Sequence, residues 1–148
     1  MPETNYSTET AQLYDRIARN CDQAADALAQ LIPLTQNPVM RSEMQSQEKV
    51  YRSFRRQARA GVKRMGGEPS QPGMLGRMWM DVGIQVKARA DSSDRNLAQM
   101  LAEGSSQGVT GCVMARRDCT AASDDARLLA EKLERFEQSA EKKWREFL

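Results

Sequence analysis

Apolar side chains recur at steps of three and four along most of this 148-residue chain, the spacing that gathers them on one face of an α-helix. The first such row is Tyr14, Ile17, Cys21, Ala24, Leu28 and Leu31, and it predicts a helix from about Thr8 to Leu34. Ser7 or Thr8 is its expected cap, and Glu9 complements the helix dipole in the first turn. Asn37 before Pro38 is a cap followed by proline at the first helical position, a start signal for a second helix. That helix carries Met40, Met44, Tyr51, Phe54, Ala58, Val62 and Met65 inward and ends at Gly66 and Gly67.

The stretch from Pro69 to Gly73 reads as a stiff connection. Met74 to Ala90 then predicts a third helix with Met78, Trp79, Val82 and Val86 on its apolar side. The cluster Asp91, Ser92, Ser93 and Asp94 breaks the pattern and caps a fourth helix from about Arg95 to Arg117. Ser123, with Asp124 and Asp125 in the first turn, opens a fifth whose inward row is Ala126, Leu129, Leu133, Phe136, Ala140, Trp144 and Phe147. Four of these segments are each about 35 to 40 Å long at about 1.5 Å per residue, a match for a four-helix bundle with one long crossover. The shorter helix, residues 72–90, is the expected crossover between the second and third bundle helices. The expected fold is therefore all-α, a single bundle domain over residues 1–148 with residues 1–6 as a flexible N-terminus.

Several stretches resemble a known group. Asn37-Pro38, the Gly66-Gly67-Glu68-Pro69 ending, Met78-Trp79-Met80-Asp81, Ala102-Glu103-Gly104-Ser105 and Leu133-Glu134-Arg135-Phe136-Glu137 look like uncharacterised ferritin-like, rubrerythrin-like bundle proteins of bacteria. The resemblance spans most of the chain and rests on turn and packing signals. It implies the ferritin-like bundle fold and brings no activity with it.

Composition narrows the chemistry. The chain contains no histidine. Diiron centres of ferritin-like bundles take one glutamate from each of two helices and Glu-x-x-His from the other two. On a helical wheel of about 100° per residue, Asp22 and Glu103 lie about 120° from the inward rows and are expected to face water. Gln47 is the inward polar residue of the second helix, where a buried amide bridges polar partners, and Glu43 sits at the edge. Glu137 flanks the core of the fifth helix, but Ala140 stands where an active bundle places histidine. Glu137 is expected to pair with a basic neighbour. No metal site and no cofactor are expected; Glu43 and Glu137 are the residues to test if a metal is found, in which case the chain is a divergent metal-storage protein or oxidoreductase.

Gly104, Gly108 and Gly111 form a stripe on the fourth helix. Each glycine inside a helix costs about 1 kcal/mol relative to alanine, so three of them call for an offset. Close approach of a neighbouring helix or of Trp79 is the expected one, with a cavity or subunit interface as the alternative. On the second helix Arg52, Arg56, Arg59 and Lys63, beside Arg55, line a face about 140° from the core row. No aromatic residues for base stacking are interleaved there, and Asp15, Asp22 and Asp26 are available to balance it. An ion-paired face is expected rather than a nucleic-acid site.

Lysine and arginine number 22 against 20 acidic residues, so no global field selects nucleic acid, membrane or acidic substrate. Met74, Met78 and Met80 around Trp79 are expected to fill core rather than ligate haem or copper. Cys21, Cys112 and Cys119 are odd in number and form no C-x-x-C pair, so reduced thiols in a cytoplasmic setting are expected. No signal peptide, membrane span, phosphate loop or base for a nucleophile is visible, and no catalytic residue is expected. The expectation is a non-catalytic bundle that acts by protein association, as a homo-oligomer or with another protein partner.

Overall fold

The computed structural model describes residues 2–69 and 83–148. Among them are four long α-helices and no strand: α1 (Pro2–Leu31), α2 (Pro38–Arg64), α3 (Asp94–Asp118) and α4 (Asp124–Arg145), with a 3-10 turn at Ile32–Leu34 after α1. Residues 83–90 are also helical and belong to the predicted crossover, whereas Trp79, Met74, Met78 and Met80 lie outside the described residues. No described helix is long and apolar enough to cross a membrane.

Three of the four starts use the residues that the pattern named. Asn37 accepts from the amides of Val39 and Met40, Ser93 from Asn96 and Ser123 from Ala126, each satisfying a donor that a helix N-terminus leaves free. Gly66, at φ 78°, takes the left-handed turn after α2 that other residues resist. At the first helix the expectation changes, because α1 already includes residues 2–7.

Contacts between side chains give the directions. Asp22 meets Arg55 and Arg59, and Tyr14 packs on Gly61, so α1 and α2 run antiparallel. Arg116 meets Glu134, and Cys112 meets Glu137, so α3 and α4 do too. Glu43 bonds to Lys143 and Tyr51 to Glu137, which makes α2 antiparallel to α4. Arg16 reaches Asp118 while Asn20 reaches Gly108, which makes α1 antiparallel to α3. Asn37 donates to Asp94, so α2 and α3 start at the same end and run the same way. The C-terminus of α2 and the N-terminus of α3 therefore lie at opposite ends of the molecule.

The core is built from the predicted rows. Ile17, Cys21, Leu28, Leu31, Met40, Met44, Leu133 and Trp144 are all nearly inaccessible, and burying each large apolar side chain is worth about 1.5 to 3 kcal/mol. Gly61 has a specific role: a Cβ there would come within 2.5 Å of the Tyr14 ring, so only glycine lets that ring lie on α2. Arg64 then covers the outer side of the ring, 5.8 Å from its centroid.

Two expectations about facing are corrected. Asp22 is buried rather than water-facing, because Arg55 and Arg59 on α2 reach across and bond its two carboxylate oxygens at 3.0 and 3.2 Å. Val86 is exposed, and Ala88 is the buried member of residues 83–90.

Candidate functional site

The inward seam of α4 is Ala126, Leu129, Leu133, Glu137, Ala140 and Trp144, in steps of three or four residues, so a carboxyl falls on a row of apolar groups. The matching seam of α3 is Ala98, Leu101, Ser105, Cys112 and Ala115, with Gly108 between the last turns. Where these seams meet, a Cβ at Gly108 would fall inside the Glu137 carboxylate. Gly108 is thus the recess that admits the acid.

Glu137 is 1% exposed and contradicts the expected core-edge acid with a basic partner. Its partners are uncharged: Tyr51 donates to Oε2 at 3.3 Å, and the Cys112 thiol faces Oε1 at 3.6 Å. Asn20 assists from α1, where it also donates to the Gly108 carbonyl at 3.1 Å. Burial pushes the Glu137 carboxyl up from 4.5 to about 7, and hydrogen bonds from Cys112, Tyr51 and Asn20 counter it only in part. Burial, reinforced by the nearby Glu137 charge, also raises the Tyr51 phenol and the thiols of Cys112 and Cys21 far above their ordinary values. Those thiols are not thiolates at neutral pH and have no nucleophilic character there.

Glu137 is among the residues that line a chamber of about 660 Å³ between α1 and α3. Such a volume falls within the range of small-molecule sites. The accessible part of its apolar wall is Ala24 and Ala27 of α1, Ile84 of the helical residues 83–90 and Met100 of α3, backed by the buried Ile17, Leu28, Leu31, Leu101 and Trp144. Gln47, Tyr51, Asn20 and Ser105 add polar groups around the carboxyl. The glycine stripe explains the space. A Cβ at Gly104 would meet nothing within 4 Å and one at Gly111 would only touch Asn20, so at these two positions the missing side chains leave the chamber open. Close approach of a neighbouring helix is seen at Gly108, Gly104 is exposed rather than inward, and the approach of Trp79 lies outside the described residues.

The other predicted residues separate. Glu43 bonds to Gln47 at 3.0 Å and to Lys143 at 3.2 Å, sharing no partner with Glu137. Gln47 is buried, as the wheel indicates. The basic face of α2 is partly ion-paired, with Arg55 and Arg59 on Asp22 and Arg52 on Glu48. All three cysteines are free and buried. Among the described residues no three His, Cys, Asp or Glu side chains gather in a metal-binding group.

Sequence reasoning passed over Asn20, Ser105 and the Gly108 recess. The three- and four-step seam of α3, through Ser105 and Cys112, was the available signal. No protein-family model, curated protein or solved structure matches the chain.

Proposed function

We propose that this chain is a ferritin-like four-helix bundle that works as a non-catalytic binding module, taking a small, mainly apolar molecule into the chamber between α1 and α3. The helix directions support the architecture. With α1 and α4 running one way and α2 and α3 the other, one connection must traverse the bundle, the arrangement of ferritin-like folds. The observation that carries the function is the chamber itself, an apolar wall with a few converging polar groups and a perturbed carboxyl in its lining. Raised thiols and the absence of histidine leave no activated nucleophile, which favours binding over catalysis.

Gly104→Phe tests the chamber. The side chain enters open space and removes a helix glycine, so the fold is retained by circular dichroism. Titration calorimetry with phenethyl alcohol is expected to show binding to the native chain and at least about tenfold weaker binding to the variant. Equal binding to both, or binding to neither, ends this reading.

Self-association is the second reading. Val39, Val86, Met114, Leu128 and Leu148 are large apolar side chains between 46% and 68% exposed. Light scattering at micromolar concentration distinguishes a monomer from an assembly. The metal-binding alternative is tested by plasma mass spectrometry after expression with iron and manganese. Substoichiometric metal is the expected result, since Glu137 is joined by a phenol, a thiol and an amide rather than by further carboxylates.

A further inference from the structure

We infer that the chamber recognises a small organic cation, a single ammonium group on an apolar body, with Glu137 as its counter-ion. This rests on the chamber reading above and names the chemistry of its occupant.

A buried carboxylate is costly unless a cation or several strong donors face it. Elsewhere in this molecule that condition is met: Asp22 receives two guanidinium groups. At Glu137 no lysine or arginine is among the partners in the described residues, and the donors present are a phenol and a thiol at long range, with one amide. Two carboxylate oxygens accept about four hydrogen bonds, so acceptor capacity is left over. The acid lines a space whose accessible apolar side chains are Ala24, Ala27, Ile84 and Met100. An ammonium on an apolar body complements both parts.

The groups facing Glu137 come from three helices: Asn20 and Cys21 from α1, Tyr51 from α2, itself hydrogen-bonded to Ser105, and Cys112 from α3. The phenol and thiols are held neutral throughout the neutral range, so Glu137 alone changes charge there. At the chamber mouth Arg16 and Arg19 are paired with Asp118 and Asp15, and Lys87 and Glu103 are the remaining charges. Cation binding therefore strengthens as pH rises through the Glu137 transition near 7.

Phenethylamine and phenethyl alcohol are titrated into the full chain at about pH 8 and about pH 6. At the higher pH the amine is expected to bind at least about tenfold tighter than the alcohol, an advantage that shrinks at the lower pH. Glu137→Gln, which keeps the shape, is expected to remove that advantage. Equal affinity of amine and alcohol for the native chain overturns the charge recognition while the chamber stands. Binding of neither overturns both. An amine advantage that persists in Glu137→Gln also overturns the proposal, because recognition would then come from the mouth, where Glu103→Gln would abolish it.

Discussion

Asp22 and Glu137 are both buried acids in one helical molecule, yet their surroundings are opposite. Asp22 sits in the α1–α2 interface, where long arginine side chains from the neighbouring helix reach it while their stems lie along the surface. Glu137 sits where α4 meets α3 and the chamber, surrounded by a glycine, a thiol, a phenol and an amide. One acid is satisfied by the protein's own charges. The other is admitted to the core with no cationic partner among the described residues, and the proposed binding role rests on that difference.

The largest effect expected from this difference lies in the pH dependence of stability. The folded chain holds the Glu137 proton more tightly than the unfolded chain does, with its carboxyl at about 7 rather than 4.5. Between those values folding takes up a proton, so stability falls as pH rises, by on the order of 3 kcal/mol across the window. Urea unfolding of Glu137→Gln should show this loss abolished, leaving the variant more stable than the native chain above about pH 7. A native profile with the same pH slope as that of Glu137→Gln over this window would remove Glu137 from the core in solution.

Asp22→Asn is expected to act in the opposite sense, destabilising at neutral pH. Breaking a fully buried ion pair costs about 3 to 5 kcal/mol, but Arg55 and Arg59 keep 28% and 33% side-chain exposure and rehydrate. A loss of about 2 kcal/mol in the same assay is expected. A loss below about 0.5 kcal/mol would place the pair among ordinary surface bridges and blur the comparison.

The smallest effects separate two glycines one helical turn apart. Gly108→Ala must displace the Glu137 carboxyl and is expected to lose about 1 to 2 kcal/mol even after the helix-propensity gain. Gly104→Ala points into open space and is expected to gain up to about 1 kcal/mol. Thermal unfolding of the two variants side by side checks the sign of each.

Much of the fold was legible in the chain itself. The caps at Asn37, Ser93 and Ser123 and the buried rows of α1, α2 and α4 follow from local chemistry and helical period, which need no neighbour. The wheel also ranked Gln47 and Ala140 as inward and Glu103 as exposed, as found. It failed at Asp22 and Glu137 because a wheel scores one helix at a time. Whether an acid off the apolar row is buried depends on whether another helix brings a guanidinium over it, and whether an acid near that row finds a cation depends on what faces it.

By itself, then, the sequence determined an all-helical chain with defined starts, a histidine-free chemistry and the residues of its core faces, because these depend on period and composition. Tertiary structure alone decided that Gly108 stands opposite Glu137, that Gly104 borders empty space and that Asn20, Tyr51 and Cys112 converge on one carboxyl. Those facts come from side chains about 25 to 120 residues apart in the chain, and only helix packing sets their register.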